Sequence, residues 1–394
     1  MKIFFTKAAF FYVLLMFPVW VMAQTSSNGS GPNAIPTAVP FLNITPDSRS
    51  GAMGDAGVAI SPDANANFWN PSKLAFLESA DEFSVSYSPW LRNLVSDMNL
   101  SYLSYSHKLD ERNTLGASMR YFNLGSIQLI DANQIDQGTY RPSELALDVS
   151  FARKFSENFS LGLTARYVRS DLSNQAFSSG SAQQTKAANA LAADVSLYYR
   201  KDVQQFGIPA TFAFGTRISN LGSRVSYLDN GPQYFLPANL KLGAANTWQL
   251  DDQNQITLAL DLNKLLVPTP PIRDANGVII SGKDDNRSVP SAIFGSFADA
   301  PGGFREEMQE ISYSTGIEYA YAKQLFLRAG YFTESANKGN RNYATMGVGF
   351  RYLFYGFDFS YLAAQQKNSP LANTLRFSLT INFGSIGGGN SNND

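Results

Sequence analysis

The chain has 394 residues, of which 44% are hydrophobic, 13% aromatic and only 16% charged, with one histidine and no cysteine. Soluble domains carry roughly 25% charged residues. The balance of 31 Lys+Arg against 32 Asp+Glu leaves no basic footprint for nucleic acid, and the single histidine excludes a zinc site of nitrogen and sulfur ligands.

Met1-Lys2 and Lys7 form a short basic start, and Ala8–Met22 is apolar. At about fifteen residues the run is short for a membrane span, and Val21-Met22-Ala23 offers a cleavage site. Residues 1–23 are therefore expected to be a signal peptide, with a mature chain from Gln24. Removing Lys2 and Lys7 leaves 29 basic against 32 acidic residues, a net charge near −3. No later run of 18 apolar residues occurs, so no transmembrane helix is expected.

Residues 47–71 read DSRSGAMGDAGVAISPDANANFWNP. The spacing of Gly51, Gly54 and Gly57 suggests a phosphate loop, but it is not G-x-G-x-x-G and lacks the Lys-Ser or Lys-Thr such a loop carries. Small residues instead suit packing in a confined space, with Arg49, Asp55 and Asp63 positioned to meet a polar wall and Trp69-Asn70-Pro71 marking a turn outwards. Residues 24–82 are expected to be a periplasmic extension and a luminal hatch. Arg49, Met53, Gly54, Gly57, Trp69, Asn70 and Pro71 are its candidate residues, with plugging preferred to gating.

From residue 83 the pattern is strict alternation. Leu145, Leu147, Val149 and Phe151 alternate with Ala146, Asp148, Ser150 and Ala152; Tyr355, Phe357, Phe359 and Tyr361 alternate with Gly356, Asp358 and Ser360. Leu375, Phe377, Leu379, Ile381 and Phe383 likewise alternate with Arg376, Ser378, Thr380 and Asn382. Period two is that of a strand with one apolar and one polar wall. About fourteen such segments fall between residues 83 and 383, each near the ten residues a tilted strand needs to cross a bilayer. The fold class is thus all-β: a transmembrane antiparallel β-barrel of about fourteen strands with an N-terminal luminal hatch, both termini periplasmic, and a flexible tail at 384–394. Short turns alternate with long connections near 124–142, 171–187, 220–235 and 265–309, the asymmetry of an outer-membrane barrel.

The longest connection is bounded by prolines and rich in apolar residues. Val267, Pro268, Pro270, Pro271, Ile293, Phe294 and Phe297 are its candidate partner contacts, chosen for apolarity and expected exposure. FREEMQE at 304–310 is expected to be helical. No catalytic residue, metal site or cofactor is assigned. Ser106 and His107 are strand neighbours on opposite faces, and the loop carboxylates Asp284, Asp285 and Asp299 lack regular ligand spacing.

A leader, a small-residue segment ending in Asn70-Pro71-Ser72 and about fourteen strands resemble the FadL-like outer-membrane barrels, whose lumen holds an N-terminal hatch with an Asn-Pro-Ala motif. The third motif position departs from that pattern, with serine for alanine. More narrowly, the stretch DSRSGAMGDAGVAISPDANANFWNPSKLAF, the LLVPTPP of the long loop and SYSPWL at 86–91 resemble the PorV family of the Bacteroidota type IX secretion system. The resemblance implies a non-enzymatic barrel of the outer membrane. Its implied partners are the type IX translocon barrel, the C-terminal signal domains of cargo, the sortase-like surface attachment complex, and membrane lipid and lipopolysaccharide, with no nucleic acid and no cofactor. The alternative it implies is a FadL-type transporter of hydrophobic small molecules.

Overall fold

The computed structural model describes residues 33–91, 95–130, 134–172, 186–365, 369 and 371–383. The expected signal peptide, residues 24–32 and the tail at 384–394 lie outside them.

The strands are β1 Asp81–Pro89, β2 Asn99–Lys108, β3 Asn113–Asn123, β4 Ile127–Ile130, β5 Asp136–Tyr140, β6 Ser143–Ser156, β7 Phe159–Asp171, β8 Ala188–Gln205 and β9 Ile208–Gly222. They continue with β10 Asn239–Gln249, β11 Asn254–Leu265, β12 Ile272–Arg273, β13 Ile279–Ser281, β14 Ile311–Tyr321, β15 Leu325–Thr333, β16 Asn342–Tyr352, β17 Tyr355–Ala364 and β18 Thr374–Asn382. Fourteen of them form a closed antiparallel barrel, in the order β1-β18-β17-β16-β15-β14-β11-β10-β9-β8-β7-β6-β3-β2. The seam closes through β1 and β18, with Glu82 opposite Asn382 and Tyr87 opposite Phe377. Closure pairs every edge, as a sheet in hydrocarbon requires.

The alternation resolves into an inverted protein. Outward side chains are apolar and bare, as with Leu163 at 59% and Leu191 at 71% exposure, while their inward neighbours Thr164 and Ala190 are buried. Ser150, Arg166, Asp194, Glu318, Asp358 and Arg376 all point inward and are buried. Aromatic side chains crowd the rim at the short-turn end, including Phe155, Phe206, Tyr321, Tyr352 and Tyr355. This is the girdle of a membrane-spanning barrel. No helix among the described residues is long and apolar enough to cross a membrane.

Turns at 109–112, 157–158, 206–207, 250–253, 322–324 and 353–354 lie at one end, and all the longer connections lie at the other. One of the three two-residue turns, Phe206-Gly207, has positive φ at both positions, the twist that such a hairpin needs. Two of the long connections hold structure that alternation did not reveal, because their strands are too short to establish a period. β4 pairs with β5, and β12 pairs with β13. The long loop also carries the helices Val289–Gly295 and Phe304–Gln309, the latter as expected.

The N-terminal segment departs from its expected path. Asn33 donates to the Pro270 carbonyl at 3.3 Å and to Glu306 at 2.9 Å, and the Ala38 amide donates to the Phe235 carbonyl at 2.9 Å, all at the long-loop end. Residues 71–80 then run to the short-turn end, where Lys108 holds the Leu77 carbonyl at 2.8 Å. Residue 33 therefore lies at the opposite end from Phe383, and the segment runs through the barrel instead of entering and leaving on one side.

Candidate functional site

The N-terminal segment is built from single turns: Pro40–Asn43, Ser48–Gly51, Ala66–Trp69 and Pro71–Phe76. Helices this short are not stable alone, so their geometry comes from the wall. Asp47 caps Ser48–Gly51 through the Ser50 amide at 2.9 Å, and its other oxygen accepts the Trp69 indole N–H at 2.6 Å. Trp69 therefore lies inside the segment, 1% exposed, and closes the turn Ala66–Trp69, after which Asn70 is extended and Pro71 opens the next turn.

Arg49 makes the main ionic contact. Its guanidinium donates to Glu318 at 3.2 and 3.1 Å, to Asp63 at 2.9 Å, and to the carbonyl and hydroxyl of Ser61 at 3.1 and 2.6 Å. All five N–H donors are used, which is what makes a buried guanidinium tolerable. Glu318 also accepts Arg328 at 2.6 Å, Arg328 reaches Asp358 at 2.6 Å, and Arg351 reaches Asp358 at 2.7 Å. The chain of charges ties the segment to β14, β15, β17 and β16.

Met53 and Gly54 press directly on the sheet backbone. A Cβ on Gly330 would lie 2.0 Å from the Gly54 amide nitrogen, one on Gly316 would lie 2.5 Å from Met53, and one on Gly347 would lie 2.5 Å from the Ala52 methyl. Gly316 and Gly330 face each other across β14 and β15. Gly54 has φ +66 and no room for a side chain, and a Cβ on Gly57 would lie 2.1 Å from the Trp69 ring. The wall glycines escaped the sequence reading, although glycine inside a strand signals close backbone approach.

Asn70 donates to the Val58 and Leu197 carbonyls at 3.1 and 3.0 Å and accepts the Ser72 hydroxyl at 2.5 Å. Pro71 opens the following turn, where its missing N–H costs nothing. Ser72 meets Ser196 at 3.1 Å and Ser160 at 2.7 Å on β8 and β7. Both are made by the Ser72 backbone, amide and carbonyl, so an alanine would keep them; what the serine adds to the Asn-Pro-Ala pattern is the hydroxyl bond to Asn70. Asp261 on β11 accepts the Gly57 and Val58 amides at 2.7 and 2.9 Å. Asn67 donates to Ser104 and Ser106 on β2 at 2.9 and 3.0 Å. Lys73 is buried against the Gly57 carbonyl at 2.7 Å, and burial pushes its pKa down to about 8.

A second buried ladder was not legible in the sequence. Arg166 bridges Asp148 at 2.6 and 2.9 Å and Asp194 at 3.1 and 3.0 Å, Arg217 pairs with Asp194, and Arg120 holds the Leu42 carbonyl at 2.7 Å. Phe68 sits among these cations, 5.1 Å from Arg120 and 5.9 Å from Arg217. One polar cavity of ≈ 90 Å³ remains beside the segment near the long-loop end, lined by Asp55, Lys241, Asp261, Glu310, Lys338 and Arg341 among others.

The comparisons with known proteins bear on what this barrel is. The model of the family "Type IX secretion system protein PorV" matches residues 27–272. The chain belongs to the PorV family. No curated protein matches it. Among solved structures it is similar to the Pseudomonas putida toluene transporter TodX (13% identity, covering 86% of this chain and 98% of that one, TM-score 0.48). It is also similar to the CymD monoaromatic hydrocarbon channel (13%, 85% and 95%, 0.47) and to a Pseudomonas aeruginosa FadL homologue (12%, 90% and 100%, 0.42). Likenesses this distant bear no weight on function, and the strand order alone establishes the barrel.

In this member of the PorV family the long loop is ordered. Lys264 pairs with Glu307 at 3.1 Å and Glu310 at 2.5 Å, and Lys338 pairs with Glu306 at 2.6 Å and Glu310 at 3.0 Å. Two candidate contacts need correction. Val267 is 2% exposed and packs with Ala238 and Leu266, and Pro268 is buried beside it, because the loop folds back on the barrel rim. Pro270, Pro271 and Ile293 are half-buried. Phe294 at 81% and Phe297 at 50% stand in the open, joined by Phe304 at 80%, which was not singled out.

His107 sits beside Asp81 at 2.7 Å at the short-turn end, while Ser106 is buried and faces inward, so the two form no nucleophile–base pair. Asp284 and Asp285 lie within ion-pair reach of Arg273, and Asp299 pairs with Arg287. Among the described residues no three His, Cys, Asp or Glu side chains converge as a metal site would need.

Proposed function

We propose that this PorV-family barrel is a sealed carrier of type IX secretion. It docks on the translocon barrel through its long-loop end, receives cargo by the C-terminal signal domain, and delivers it to the sortase-like attachment complex, with no passage through its own lumen. Family membership supports the secretion system as its setting, and a closed barrel with an apolar belt fits the outer membrane. The observation that carries the reading is the filled lumen: residues 38–77 contact β2, β7, β8, β11, β14 and β18 through buried hydrogen bonds. In this reading the segment is a hatch, and traffic is left to the outer surface. Phe294, Phe297 and Phe304 are exposed aromatic side chains of the long loop, the residue type that anchors protein contacts.

The transporter alternative needs an apolar pocket beside the hatch. The cavity in that place has Ile35, Leu265 and Phe332 on its wall but also lysine, arginine and carboxylate side chains, and an apolar ligand would leave those polar groups unpaired. Affinity purification from detergent-solubilised membranes tests the proposal. Co-purification of a translocon-sized barrel and of cargo bearing the C-terminal signal is expected. Reproducible absence of both, together with loss of fatty-acid uptake in a deletion strain, would replace it with the transporter.

A further inference from the structure

Around the polar cavity four buried oxygens have no hydrogen-bond partner: one carboxylate oxygen each of Asp55 and Asp261, and the amide oxygens of Asn239 and Asn263. Buried acceptors are almost always satisfied, so four on one cavity call for an occupant. The Lys241 ammonium on the same wall has no acceptor among the described residues. It rests instead on the ring faces of Trp69 at 4.5 Å and Phe68 at 5.7 Å. The register brings these groups together, since Lys241 lies opposite Asn263, and Gly243 lies opposite Asp261. Gly243 leaves the Asp261 oxygen its space, because a Cβ there would sit 2.4 Å from it. Asn263 donates its NH₂ to Ser312 at 3.1 Å, which leaves its oxygen as the unpaired atom.

We propose that this cavity binds a small hydroxylated molecule of the polyol or sugar class. Hydroxyl groups donate and accept at once, so one such ligand can serve four orphan acceptors and an unpartnered ammonium. Its competitors fit less well. An apolar ligand satisfies none of the five groups. A bare anion meets two carboxylates. A metal cation meets the Lys241 ammonium and a second cation, the Arg376 guanidinium, which lies 3.7 Å from the same Asp55 oxygen, beyond hydrogen-bond distance. The volume of ≈ 90 Å³ exceeds what one water needs, roughly 10–15 Å³, so a water cluster is the remaining rival. The inference rests on the cavity alone and stands or falls independently of the secretion role.

The test uses the full-length protein in lauryldimethylamine oxide, whose headgroup carries no sugar. Saturation-transfer NMR with glycerol, with glucose and with toluene reads occupancy. At least one of the two polyols is expected to give a saturable signal and toluene none. Asn239→Leu removes one acceptor and fills the site, and is expected to weaken that binding about tenfold or more. Ser314→Ile narrows the same cavity from β14 and serves if the first variant does not migrate as a folded, heat-modifiable barrel. No saturable polyol signal from the wild-type protein, or unchanged affinity in a folded variant, overturns the proposal and leaves water as the occupant.

Discussion

Arg49 and Glu318 are 269 residues apart in sequence and form a two-point ion pair, at 3.2 and 3.1 Å, between the segment inside the barrel and the barrel wall. Both are buried, and each is held by further partners, Asp63 on one side and Arg328 on the other. Two charges removed from water need such complete pairing, so the pair is a sensitive point for testing how firmly the segment is seated.

Arg49→Ala leaves Asp63 without its cation and Glu318 with Arg328 alone. Breaking a buried pair from one side costs about 3–5 kcal/mol. The midpoint of the heat-modifiable gel shift is expected to fall, and single-channel recordings in planar bilayers are expected to show openings that the wild-type barrel lacks. A silent bilayer with an unchanged midpoint would mean that the segment is held without this pair.

Gly330→Leu tests the close approach. The new side chain would need the space taken by Gly54 and Met53, where even a Cβ lies 2.0 Å from an amide nitrogen. The strand itself can accommodate leucine, so the barrel is expected to assemble while the segment is displaced. Limited proteolysis checks this, with new cuts expected between residues 47 and 71. A protease-resistant variant would show that the contact is loose enough to yield.

Lys73 predicts a pH dependence. Its folded pKa is lowered to about 8 by burial, from the ordinary 10.5. Between those values the unfolded chain holds the proton and the folded one does not, so stability rises with pH across that window. The penalty is fully present below pH 8 and relieved towards pH 10.5. The size is at most about 3 kcal/mol. It is read as the difference between wild type and Lys73→Met in midpoint against pH. Parallel curves for the two proteins would contradict it.

The long loop separates contact from core. Phe294→Ser with Phe304→Ser changes two side chains that are 81% and 80% exposed, and such changes stay within about 0.5 kcal/mol of neutral. Capture of the translocon partner is expected to drop while the gel-shift midpoint stays. Val267→Ala should do the reverse, because the buried valine contributes about 1.5–3 kcal/mol to seating the loop. If the double serine variant captures its partner as well as wild type, docking uses another face.

The strands were legible because a lipid-facing wall and a polar lumen impose period two over many residues, and β6 and β18 carry that pattern without interruption. The two small hairpins at the long-loop end were not, since strands of two to five residues show no period. Arg49, Gly54, Gly57 and Asn70 stood out by type and spacing. The wall partners of the first three, Glu318, Gly330 and Asp261, did not, because each is one polar or small residue among many on an inward face.

Composition and alternation by themselves determined the class of molecule, the number of barrel strands, the place of each strand and the existence of a small-residue segment ahead of them. These depend on local periodicity and on the solvent each face must meet, which the order of residues records directly. Only the tertiary structure decided that the segment runs from the long-loop end to the short-turn end, that Trp69 is enclosed, that Val267 is core and Phe294 surface, and that one cavity gathers four oxygens without a hydrogen bond. Those facts depend on which inward residues closure of the barrel brings face to face, and contacts between residues hundreds of positions apart leave no period to read.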